Sequence, residues 1–68
     1  MIMSNILTHQ KLNIVNVSFS SDLFQQELKK SFHLLDQNEL NDLYNWLNAN
    51  FITKYPNIIQ NMFQNFQT

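Results

Sequence analysis

Few side chains in this sequence can do chemistry: 68 residues hold five acids, four lysines and two histidines, and no cysteine, arginine or glycine. The tightest group is Asp36, Glu39 and Asp42, which on a helix would bring three carboxylates to neighbouring positions of one side. Such a cluster suits a divalent cation or an acid–base pair. A carboxylate metal site built into a helical bundle wants a Glu-x-x-His pair, which this chain lacks. The first two acids also have a structural task. Asp36 stands where its carboxylate accepts from the backbone N–H of Glu39, Glu39 can reach back to the N–H of Asp36, and Leu35 can staple onto Leu40. Asp42 then falls on a solvated face. His33 follows Lys29 and Lys30 at a helix end, where positive charge meets the negative end of the helix dipole. His9 has no ligand or base spaced to join it, and a phosphate cradle would want a glycine-rich loop. The expectation is a protein with no catalytic residue, no metal ligand and no cofactor.

The elements around that capped corner follow from periodicity. Ser20 reads as the cap of a helix over 20–35, with Asp22 in its first turn and Phe19 able to staple onto Phe24. Its stripe is Phe24, Leu28, Phe32 and Leu35. A second helix over 37–53 carries Leu40, Leu43, Tyr44, Leu47 and Phe51, with Asn41, Asp42, Asn45 and Asn48 on its wet side. The two stripes should meet as a helical hairpin. Trp46 lies about 120° from the centre of the second stripe, so it covers either the N-terminal segment or another chain. Pro56 breaks the pattern and starts a third helix over 56–66, whose stripe of Ile58, Ile59, Met62, Phe63 and Phe66 should meet a different surface.

Upstream, residues 1–11 fit a helix or a strand equally well and read as a frayed end. Residues 12–19 are β-branched and alternate from Val15 onward. Val15, Val17 and Phe19 share one face, Asn16 and Ser18 the other, so a strand is expected here. The predicted fold is mainly α, an N-terminal β-strand followed by a helical hairpin and a short third helix, in one domain spanning 1–68.

Composition narrows the function classes. A hydrophobic fraction of 44% with nine aromatic residues argues against disorder. A core this small is marginal, and without cysteines or enough zinc ligands the remaining source of stability is oligomerisation or docking on a larger partner. Net charge is −1, and eighteen of the polar residues are Asn or Gln, so no strong field for nucleic acid or anionic lipid is built. The sequence holds no apolar run of membrane-spanning length and no signal-peptide pattern, which makes the cytoplasm the expected location.

The leading expectation is therefore a small, oligomeric protein–protein interaction module: a regulator, inhibitor or adaptor. Val15 and Val17 on the strand, Trp46, and Ile59, Phe63 and Phe66 after the proline are the candidate contact residues. A second expectation comes from a likeness. The run from Val15 to Phe24, an alternating strand entering a capped helix, followed by a tight turn and a second capped helix, resembles residue order in the ribbon-helix-helix family of dimeric DNA-binding regulators. The likeness spans residues 13–48. It implies a strand paired with its copy in a second chain, with Ile14, Asn16 and Ser18 facing the bases and Val15, Val17 and Phe19 facing the core. It also implies that the backbone N–H groups near Asp36 hold a phosphate.

Overall fold

The corner at Leu35 and Asp36 forms as its residues dictate. In the computed structural model, which describes residues 5–64, Asp36 Oδ1 accepts from Glu39 N at 2.8 Å and Asp36 N donates to Glu39 Oε1 at 3.0 Å. Leu35 and Asp36 are both extended, at φ −106° and −80°, so a two-residue corner separates the helices on either side. No described residue has positive φ, and the corner works without a glycine. Leu35 and Leu40, on either side of it, are buried.

Four helices result: α1 (Asn5–Asn16), α2 (Ser21–Leu34), α3 (Gln37–Asn50) and α4 (Pro56–Gln64). Ser20 caps α2 with its hydroxyl oxygen, which accepts from Leu23 N at 3.4 Å. After α3 the chain closes a turn through Tyr55 N to Phe51 O at 2.8 Å. Pro56 then takes the first position of α4, where its missing N–H costs nothing.

Helices α2 and α3 both supply the core, with Phe24, Leu28, Leu35, Leu40, Leu43 and Leu47, but the expected hairpin does not form: the helices in close contact are α1 with α2 and α3, and α4 with α2 and α3, so α2 and α3 are bridged by the other two. Helix α4 does not seek a separate surface. Phe63 sets its ring between α2 and α3, 4.9 Å from Phe32 of α2 and 4.9 Å from Tyr44 of α3. Phe24 centres a second aromatic group, 5.4 Å from Phe51 and 4.4 Å from Tyr55. Phe19 makes no staple: its ring is 76% exposed while Phe24 is fully buried.

The expected strand over 12–19 is the main correction. Those residues are the second half of α1 and the turn that follows, and the described residues contain no strand, so the fold is all-helical rather than β-α-α-α. A lone strand would leave its backbone N–H and C=O groups without a ladder, whereas a helix pairs them within the segment. Burial runs opposite to the alternation. Ile14, expected on the outer face, is fully buried, while Val15 and Phe19, expected in the core, are exposed. Residues 5–11, expected as part of a frayed end, are the first turns of α1. Helices α1 and α4 each pack on both α2 and α3.

Candidate functional site

Helix α1 is seated by a polar node rather than by a broad apolar stripe. Gln10, 2% exposed, donates from Nε2 to Ser31 Oγ at 2.8 Å and to Glu27 Oε1 at 3.2 Å. Ser31 Oγ donates in turn to the Glu27 carbonyl at 2.9 Å, and Asn13 Nδ2 donates to Gln10 Oε1 at 3.2 Å. Every buried side-chain nitrogen and oxygen among the described residues has a partner. Around this node the apolar contacts of α1 with the core are Ile14 and the half-buried Leu7. The side of α1 toward α3 adds Lys11, whose Nζ lies 5.8 Å from the centroid of the Trp46 ring. Beyond α1, the Tyr55 hydroxyl donates to the carbonyl of Ser18 and ties the α1–α2 turn to the α3–α4 turn.

A helix that buries a glutamine leaves apolar residues outside. Ile6 is 50% exposed, Leu12 57% and Val15 48%. Leu12 and Val15 lie on the outward face of α1, and Phe19 extends their row into the turn, which is held by Val17 N to Asn13 O at 3.1 Å and Ser18 N to Val15 O at 3.2 Å. Leu23 and Leu34 on α2 are also exposed. Between α1 and α2 runs a groove of about 340 Å³, lined by Ile6, His9, Gln10, Asn13, Lys30 and Leu34. A second depression of about 440 Å³ lies beside α4, where Gln60, Asn61 and Gln64 join Tyr44 and Phe63 in its wall.

The six exposed large hydrophobic residues among the described ones all fall between positions 6 and 34. Helices α3 and α4 expose none; their outer positions are Asn41, Asp42, Asn45, Asn57, Gln60, Asn61 and Gln64.

The expected contact residues separate accordingly. Val15 is on the exposed face, while Val17 is half-buried in the turn. Trp46 is half-buried within the chain, edge-on to Phe51 at 5.5 Å. Ile59 and Phe63 are buried in the chain's own core and offer no surface to a partner, because Phe63 is the wedge between α2 and α3. Phe66 lies outside the described residues. Of the residues assigned to a DNA-reading ribbon, Ile14 is buried, Asn16 ends α1, and Ser18 turns its hydroxyl back to the Val15 carbonyl at 2.8 Å.

Sequence reasoning missed Ile6, Leu12, Phe19, Leu23 and Leu34 as surface residues. A signal for part of the set was present, because positions 8, 12, 15 and 19 carry the alternating four- and three-residue spacing of a helix seam. On the chemical side, His33 is exposed, Asp36 and Glu39 are engaged in the cap, and Asp42 is solvated. Among the described residues no three His, Asp or Glu side chains gather where they could hold a metal ion. No helix among them is long and apolar enough to cross a membrane. This chain matches no family model, no curated protein and no solved structure.

Proposed function

We propose that this protein is a non-enzymatic interaction module, a regulator, inhibitor or adaptor, that works by presenting the apolar face of α1 and α2 to another protein chain. One observation carries the reading: the confinement of every exposed large hydrophobic among the described residues to positions 6–34, while the α3–α4 exterior is clad in amides. Contiguous apolar patches on small proteins mark contact sites, whereas isolated exposed leucines need no explanation. Here Leu12, Val15 and Phe19 form one row. Around the helix from that row, the groove between α1 and α2, with Ile6 and Leu34 in its lining, gives a partner's side chain a place to enter.

The amide cladding fits the same reading. It keeps the other half of the molecule wet without a strong charge, so contact is directed to one side. A cytoplasmic setting belongs to the proposal, since the cysteine-free core needs no oxidising compartment.

The test is co-purification of the tagged full chain from its own cells, compared with a variant in which Leu12, Val15 and Phe19 are all changed to Ser. The expected result is a stoichiometric protein companion, this chain itself included, that is lost in the triple variant while the far-UV circular dichroism stays helical. A wild-type chain with no companion, or a companion kept by the triple variant, would sink the reading.

A further inference from the structure

Helix α2 carries a row of its own, and the order of that row is symmetric. Leu23, Glu27, Lys30 and Leu34 follow one another at steps of four, three and four residues and share an arc of about 60° at 100° per residue. Read from either end, the row meets a leucine, a charge, the opposite charge and a leucine. Lys30 and Leu34 line the groove beside α1 together with Ile6, His9 and Asn13, and the same line on α2 runs on to the exposed Leu23.

The two central charges are not spent on each other within the chain. Lys30 has no acid partner among the described residues, although Glu27 stands one turn before it. Glu27 accepts from Gln10 at Oε1 alone, and its other carboxylate oxygen is left for a further donor.

We infer that a second copy of this chain seats its α2 antiparallel against this row, about a two-fold axis level with the step from Leu28 to Lys29. Leu23 then meets the partner's Leu34 and Glu27 meets the partner's Lys30, each contact occurring twice, as a two-fold interface requires. A parallel pair would set Lys30 on the partner's Lys30 and Glu27 on the partner's Glu27, so charge decides the direction. The other charged groups of α2, Asp22, Lys29 and His33, stand about 90° or more from the centre of the row and do not oppose it. A different protein would have to reproduce this order of side chains; a copy already has it.

The pairing goes beyond the interaction reading and uses another face. Leu12 and Val15 lie on a different side of α1 and stay open to a companion. It is also weak. Ile6, Leu23 and Leu34 are 50%, 39% and 45% exposed, and with the charged groups among them the face offers on the order of 400 Å² per copy, the size of a transient contact. Such a dimer forms at high protein concentration and is not carried through a purification.

The experiment is sedimentation equilibrium on the purified full chain from about 50 µM to about 2 mM, a window set for a contact of this size. The wild type should show a monomer–dimer equilibrium whose Kd rises at least about threefold between about 20 mM and about 500 mM salt. K30E alters an exposed position, so it should keep its helical dichroism and Tm while raising Kd at least about tenfold, because two attractions become two repulsions. L34E and L23K should each weaken association, and their mixture should associate more tightly than either alone, since the new carboxylate then faces the new ammonium. L12E, on the other face, should leave Kd unchanged. A wild type monomeric throughout, association unmoved by K30E or by salt, a mixture no tighter than its components, or loss of association in L12E overturns the pairing. None of these outcomes bears on whether a companion co-purifies through Leu12, Val15 and Phe19, so the two readings fail separately.

Discussion

The first and last helices, α1 and α4, are attached to α2 and α3 by opposite means. Helix α4 inserts Phe63 and Ile59 into the core and turns amides outward, so area and shape hold it. Helix α1 inserts Gln10 among the polar groups of α2 and turns Leu12 and Val15 outward, so hydrogen bonds fix its register while much of its apolar area stays exposed. Area is indifferent to a small slide; a hydrogen-bond node is not. The contrast teaches that α4 completes the subunit, and that α1 is placed to hold an apolar row at a set position on the surface.

Four substitutions test that contrast, and the largest effect belongs to α4. Phe63→Ala empties the wedge between Phe32 and Tyr44 and should cost about 3–5 kcal/mol, enough to unfold a chain this small; urea titration followed by far-UV dichroism measures it. Gln10→Ala removes the donor to Ser31 and strands part of the node, at a cost of about 1–3 kcal/mol in the same titration. Its hydrogen-exchange signature should be distinctive: amides of α1 lose protection while those of α3 and α4 keep theirs. Loss spread evenly over all four helices would erase the distinction between the two attachments.

Asp36→Ala removes one half of the capping box and should cost about 1 kcal/mol, whichever flank is considered. Phe19→Ser should be the mildest, within about 0.5 kcal/mol for the isolated subunit, because the ring has little packing to lose. A Phe19→Ser variant that unfolded like Phe63→Ala would mean that the outward row supports the subunit itself.

How much of this was legible in the sequence depends on where the signals agree. At the corner, the capping box, the hydrophobic staple and the change of stripe all point the same way, and Leu35 through Leu40 fold accordingly. The burial of Phe24, Leu28, Leu43 and Leu47 was readable for the same reason, but not that α1 and α4, rather than each other, would be the close neighbours of α2 and α3. Over 12–19 the signals conflict. β-branched residues alternate there, and the inward stripe of α1 is interrupted at Gln10, whose burial depends on acceptors seventeen and twenty-one residues away. No local rule makes a glutamine a core residue. The outward row was missed by the same step, since Val15 and Phe19 join Val17 on one side of a strand but join Leu12 on one side of a helix, according to the period assumed. Ile59 and Phe63 were correctly placed on one helix face, but the surface that face meets is set by the gap between Phe32 and Tyr44, which no sequence window contains.

The contact between Lys11 and Trp46 gives the molecule a built-in optical gauge. Its sole indole is touched from α1 by an ammonium group and from the α3 C-cap by the edge of the Phe51 ring, so its emission reports on whether the first helix is seated. Docking or release of that helix can be timed in the unlabelled protein by intrinsic fluorescence alone, with Lys11→Met as the reference for the lost cation.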